Sequence, residues 1–290
     1  MRYCGGMDIV VFYALPLAHY AASYAILVLL RGSGYREPLL QVTTNGWQIG
    51  EKMLEIKNFS KIYGKDKVAA DHINLTVESG DIFGFIGHNG AGKSTTIRAV
   101  VGVMDFEEGD ISIDGHSVKT EALECKKVTA YIPDNPDLYE HLTGIQYLNF
   151  IADVFQISAT EREASIKKYS DLFEITDALG SLISSYSHGM KQKLAIISAI
   201  IRKPKLMVLD EPFVGLDPKA SLLLKNIMHE MCENGCAIFF STHVLEVAQK
   251  LCNKIAIIKQ GKIIACGKME ELIGDKSLEE VFMEVVEHEN

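Results

Sequence analysis

The run Gly87-His88-Asn89-Gly90-Ala91-Gly92-Lys93-Ser94-Thr95 constrains this chain more than any other stretch. It fits G-x-x-x-x-G-K-[ST] at Gly87, Gly92, Lys93 and Ser94, and its surroundings agree with the motif. Ile82–Ile86 before it reads as a short apolar strand, and Thr95-Thr96-Ile97-Arg98-Ala99-Val100 after it reads as a helix. Glycines at such a junction let backbone N–H groups turn inward around an anion. The helix N-terminus adds partial positive charge. Lys93 brings a full charge to the β- and γ-phosphates of a nucleoside triphosphate, and the Ser94 hydroxyl suits Mg²⁺.

A second signal lies more than a hundred residues on. Leu206-Met207-Val208-Leu209 is an apolar strand that ends in Asp210-Glu211-Pro212. A carboxylate at the end of such a strand can hold Mg²⁺ beside a phosphate loop, a role expected for Asp210. Glu211 is then placed to orient or deprotonate an attacking water.

Between these landmarks strands and helices alternate. Strand patterns fall at Leu54–Phe59, Ile73–Val77, Ile82–Ile86, Ile111–Ile113, Val128–Ile132, Leu206–Leu209, Ala237–Phe240 and Ile255–Ile258. Several are wholly apolar, as strands buried on both faces are. Helix patterns fall at Ser94–Val101, Gly144–Phe155, Glu161–Phe173, Met190–Ile201 and Lys219–Cys232. The alternation predicts an α/β domain with a mostly parallel sheet. Residues 135–190 carry no strand pattern and read as a helical insert.

These features together resemble the nucleotide-binding subunit of ATP-binding cassette (ABC) proteins over about residues 53–273. The resemblance implies a P-loop NTPase fold with an antiparallel N-terminal β part, a mostly parallel sheet and a helical insert. It implies ATP and Mg²⁺ as ligands, with Gly87 to Thr95 around the phosphates. Tyr63, in Ser60-Lys61-Ile62-Tyr63-Gly64, resembles the aromatic that stacks on adenine. Tyr186-Ser187-His188-Gly189-Met190 occupies the place of the family signature, usually LSGGQ. Ser187 and Gly189 keep the pattern, whereas His188 and Met190 depart from it. In that family two subunits face head to tail, so Ser187 and Gly189 would touch the nucleotide held by a second nucleotide-binding subunit, in a homodimer or a heterodimer. Ser187 is also a favoured helix cap, and the two roles are compatible. Gly215-Leu216-Asp217-Pro218 resembles the loop through which the two sites communicate, and Ser241-Thr242-His243 resembles the segment of the switch histidine. His243 is thus expected at the γ-phosphate, with Lys93 and Glu211 as the other catalytic groups. Asp134, in Tyr131-Ile132-Pro133-Asp134, stands where the family has a glutamine that contacts Mg²⁺ and the membrane subunit. A carboxylate there keeps the metal-binding capacity but adds negative charge near the phosphates.

The resemblance also implies an integral membrane permease subunit as partner, with this chain peripheral on the cytoplasmic face of the cell membrane. The signature variant and Ser277-Leu278-Glu279-Glu280-Val281-Phe282, within a helical tail over residues 274–290, are similar to the bacterial exporter branch. A net charge of −9 argues against a general nucleic-acid binder. A ribosome-remodelling cassette protein usually carries two cassettes, and a DNA-repair type a long coiled coil between Lys93 and Ser187. An unrelated GTPase would show N-K-x-D, which is absent. None of the six cysteines forms a C-x-x-C pair, so they read as reduced thiols.

The first fifty or so residues are a different kind of sequence. Ile9–Leu30 holds no charged residue and is long enough to span a membrane. Residues 31–52 read as a linker. Because the resemblance begins at Met53, translation is expected to start there. Gly50-Glu51-Lys52 admits purine-rich codons of the ribosome-binding kind before that Met. The rival reading is a single membrane anchor at Ile9–Leu30.

Overall fold

The computed structural model describes residues 50–64 and 67–287. The apolar segment Ile9–Leu30 and the linker as far as residue 49 lie outside the described residues. In chain order the first elements are β1 (Lys52–Tyr63), β2 (Lys67–Glu78), β3 (Ile82–Ile86), α1 (Lys93–Val100), β4 (Glu108–Ile113) and β5 (His116–Ser117). Then come α2 (Ala122–Val128), β6 (Thr129–Ile132), α3 (Gly144–Val154), α4 (Ala159–Leu172), α5 (His188–Ile200) and β7 (Leu206–Asp210). The chain ends with α6 (Pro218–Glu233), β8 (Ala237–Thr242), α7 (Leu245–Leu251), β9 (Lys254–Lys259), β10 (Lys262–Lys268), α8 (Met269–Ile273) and α9 (Leu278–Glu287). Among the described residues no helix is long and apolar enough to cross a membrane.

Two sheets result. An antiparallel sheet has the order β2-β1-β4-β5. A second has the order β10-β9-β3-β8-β7-β6. Within it β9, β3, β8, β7 and β6 run parallel, and β10 closes one edge antiparallel to β9. This is the expected α/β fold, with an antiparallel N-terminal β part beside a mostly parallel sheet.

Strand alternation explains why the parallel strands are apolar throughout. Phe83 and Phe85 of β3, Val208 of β7 and Phe239 of β8 enter a core shared with β1, β2 and α1. Ile82, Ile86, Met207, Leu209, Ile238 and Phe240 point the other way, into a core shared with α3, α5 and α6. Both faces of the sheet are therefore buried, and successive side chains serve different cores. Helix α1 lies against the first core through Ile97, Ala99 and Val100. Between β6 and α5 the chain forms α3, α4 and two turns of 3₁₀ helix. Thr143 starts α3 with a reciprocal cap: its hydroxyl accepts from Gln146 N–H, and its N–H donates to the Gln146 side chain at 2.9 Å.

Several elements differ from the sequence patterns. β1 begins at Lys52, one residue before Met53, and Gly50 N–H donates to Ser79 O at 3.1 Å. Both β1 and β2 outrun their apolar stretches because each pairs along most of its length with the other. β5, β10, α2, α7 and α8 carry no clear sequence period. β5 spans two residues and α8 five, too few for a period to repeat.

Candidate functional site

The phosphate loop is held from two sides. β3 ends at Ile86, the loop turns, and α1 starts at Lys93. Gly92 adopts φ 113°, and a Cβ there would lie 2.2 Å from Ala69 O on β2. A Cβ on Gly87 would lie 2.5 Å from Ile258 O on β9. Only glycine fits where the backbones approach so closely. Ala91 O accepts from Gly261 N–H at 2.8 Å, which joins the loop to the β9–β10 turn. Lys93 is 6% exposed, and its Nζ donates to Gly87 O at 2.6 Å and to His88 O at 3.4 Å.

A second group of side chains converges on that lysine. Asp210 ends β7 and is buried. Ser241 of the neighbouring β8 donates its hydroxyl to Asp210 Oδ1 at 2.5 Å and accepts from Glu211 N–H at 3.1 Å. The chain bends at Glu211, whose φ of 49° is left-handed. Such a conformation costs roughly 1–3 kcal/mol for a residue with a side chain and concentrates at functional sites. It brings Glu211 Oε1 to 3.4 Å from Lys93 Nζ and 3.0 Å from His243 Nδ1. That oxygen is buried, yet no donor meets it in hydrogen-bond geometry. Burial pushes the nearby Tyr131 phenol up to about 12, with the Asp210 charge adding to the effect. Tyr131 therefore stays neutral beside the carboxylates.

Lys93, Asp210 and Glu211 border one cleft of about 230 Å³. Its walls include Tyr63, His88, Asn89, Gly90, Gly92, Lys93, Ser94, Thr95, Asp134, Asp210 and Glu211. Tyr63 is half exposed at the mouth, where its hydroxyl donates to Met104 Sδ at 3.0 Å. Ser94, Asp210 and Asp134 supply oxygen donors only, a set that fits a hard cation such as Mg²⁺. His243 lines an adjoining hollow of about 130 Å³ that shares Glu211 with the cleft. Lys67, Val68 and Ala69 also line the cleft, although no motif marked them. Ser241 was legible only as a neighbour of His243. Its bonds to Asp210 and Glu211 depend on β7 and β8 being adjacent.

Ser187 and Gly189 are not among the residues that line this cleft. Ser187 caps α5, accepting from Met190 N–H at 3.3 Å. Gly189 lies against the 215–218 loop: a Cβ on it would meet Gly215 O at 2.8 Å. A Cβ on Gly215 would in turn meet the His188 ring at 2.5 Å. Lys193 Nζ reaches Asp217 at 2.7 Å across the same junction.

Comparison with known proteins identifies the family of the chain. The sequence profile of the ABC transporter family matches residues 70–214. The chain is 33% identical to the ABC-type transporter ATP-binding protein EcsA of Bacillus subtilis, across 82% of this chain and 98% of EcsA. A solved structure of an ATP-binding subunit of an ABC transporter superposes with TM-score 0.77 at 34% identity, covering 81% of this chain and 99% of the other. The ATP-binding cassette MJ0796, solved as a dimer in a post-hydrolysis state with ADP and Pi, shares the fold with TM-score 0.66 and 23% identity. It covers 75% of this chain and 99% of its own. The chain belongs to the ABC transporter family, as one of its ATP-binding, ATP-hydrolysing subunits.

Proposed function

We propose that this chain energises an exporter by binding MgATP in the cleft around Lys93 and hydrolysing it with Glu211 as the base. The observation that carries the reading is the convergence of Lys93 and His243 on Glu211 Oε1. The phosphate loop, from Gly87 to Thr95, wraps the phosphates with its N–H groups, and Lys93 neutralises charge on the β- and γ-oxygens. Tyr63 stacks on the base at the mouth. Glu211 accepts the proton of a water that attacks the γ-phosphorus as the bond to the β-phosphate oxygen breaks, leaving ADP and phosphate. His243 lies 3.0 Å from the Glu211 carboxylate and would face the γ-phosphate on its other side. Ser241 fixes both Asp210 and the Glu211 backbone, so the acids keep their spacing. Ser94, Asp210 and Asp134 would hold Mg²⁺, which supplies charge neutralisation at the phosphate oxygens.

The position of Ser187 and Gly189 supports a composite site. They sit at the start of α5, outside their own cleft, where a helix N-terminus can meet an anion brought by another copy. MJ0796 is a dimer, and EcsA is a transporter component. We therefore infer a head-to-tail pair with a second nucleotide-binding subunit, identical or related. The pair would dock on an integral membrane permease and lie at the cytoplasmic face of the membrane. A lone apolar segment such as Ile9–Leu30 cannot form a multi-helix pathway, so that partner would supply it. Within the sequence, residues 53–273 are assigned to the cassette, 135–190 to its helical insert and 274–290 to the tail. A net charge of −9 gives nucleic acid no favourable surface overall.

Glu211→Gln preserves the shape of the side chain and removes the base. It is expected to bind ATP without turnover and to elute as an ATP-dependent dimer on size exclusion. Ser187→Ala in that background is expected to return the chain to monomer. Hydrolysis by Glu211→Gln at the wild-type rate would remove Glu211 from the role of base.

A further inference from the structure

The C-terminal helix reaches the nucleotide cleft. Ser277 and Glu280 start α9 with a reciprocal cap: Glu280 N–H donates to Ser277 Oγ at 3.2 Å, and Ser277 N–H to Glu280 Oε2 at 2.7 Å. Leu278 and Phe282 then enter the core that backs β3, where they are 0% and 4% exposed. Two contacts go beyond packing. The Phe282 ring lies 5.1 Å from the His88 ring, centroid to centroid, at 75°. Leu278 N–H donates to Gln249 Oε1 at 3.0 Å, on the α7 helix that follows His243.

His88 is more than a neighbour of the cleft. It is the second residue of the phosphate loop, and its carbonyl accepts from Ala91 N–H at 3.1 Å and from Lys93 Nζ at 3.4 Å. The loop tip His88-Asn89-Gly90 is otherwise exposed. A buried ring against His88 gives that tip a fixed side-chain anchor, and the Gln249 bond ties the same helix to the segment carrying His243. The tail lies outside residues 70–214, which the family profile matches.

We propose that Phe282 is a positioning residue for nucleotide binding, acting through the His88 ring on the phosphate loop. The proposal rests on the reading that the cleft takes ATP. Holding the tip in place lowers the ordering cost of closing N–H groups around phosphates, so its effect falls on affinity rather than on the chemical step. Perpendicular aromatic pairs attract each other beyond the area they bury, which holds the His88 ring in place.

The test uses the purified full chain, a non-hydrolysable ATP analogue in calorimetry, and steady-state ATPase kinetics. Failure of the wild-type chain to bind the analogue would refute the cleft reading itself, a result distinct from any effect of the variants. Phe282→Leu keeps an apolar side chain and is expected to weaken analogue binding about three- to tenfold. KM should rise with it, while kcat stays within about twofold. His88→Ala should weaken binding to a similar degree at an exposed position that does not threaten folding. Adding Phe282→Leu to His88→Ala should then change nothing further, because the ring it acts through is gone. Leu278→Val trims a core contact of the same helix, keeps the Phe282 ring on His88 and should leave affinity unaltered. Equal binding by Phe282→Leu and wild type, an undiminished effect in the His88→Ala background, or the same loss from Leu278→Val would overturn the proposal.

Discussion

Lys93 and Glu211 meet at the centre of the candidate site. Lys93 is buried, bonded to loop carbonyls and 3.4 Å from Glu211 Oε1. On the proposed reading, Lys93→Ala removes the charge that would face the most anionic part of the ligand. ATPase turnover is expected to fall by roughly 10²-fold or more, the scale at which preorganised electrostatic groups act. Phosphate release from the purified protein measures it. Asp134 poses a finer question. It is exposed at the cleft wall and brings a third carboxylate near Asp210 and Glu211. Asp134→Gln restores the residue usual in the family and removes one negative charge, so measurable ATPase activity should persist. Complete loss of activity in a folded variant would show that this chain uses the carboxylate in its own way. These residues were readable from the sequence because each sits in a short contiguous motif. Ser241's bonds, and Met104 under Tyr63, were not, since each joins residues far apart in the chain.

At the scale of elements, helix starts do much of the positioning. Asp217 caps α6: its carboxylate accepts from Ala220 N–H at 2.8 Å, and Pro218 follows as the first helical residue. The Lys193 ammonium, and then the Ala220 N–H, hold its carboxyl below the usual range. Asp217→Ala should therefore cost about 1 kcal/mol, the usual size of a lost cap. The sign follows from the depressed pKa. The contribution is complete above the unfolded value of about 4 and is lost as pH falls through the lower folded value. Urea denaturation at pH 7 should separate the two proteins, and the gap should close at acidic pH. Elements with a repeating apolar period were legible in the sequence to within a few residues. Edge strand β10 was not, because its residues are half-buried or exposed along its whole length and show no clean alternation. Helix α2 was missed for a related reason: only Cys125 of its seven residues is buried. The Gly189–Gly215 approach was hidden too, because it joins two segments that are far apart in the chain.

At the scale of the whole molecule, the site and the interior are built from the same strands. β3, β7 and β8 send alternate residues into two cores, and their C-terminal ends carry the phosphate loop, Asp210 and Ser241. The fold class was legible because strands covered on both faces leave long apolar runs. The pairing order was not, since a run of apolar residues says nothing about which strand lies beside it. Sharing strands between site and interior also governs motion. Helix α1 begins at Lys93, and Ile97, Ala99 and Val100 belong to the core shared with β1 and β2. The amides of its C-terminal half then have no local route to solvent and should exchange hydrogen only when the core itself opens. Deuterium uptake at Ile97–Val100 should be as slow as in β3, and slower still when ATP binds, by the same factor in both. Unequal slowing would mean that the helix opens on its own. A nucleotide that grips one end of α1 thus acts on the global unfolding equilibrium, and distant strands should register its arrival without touching it.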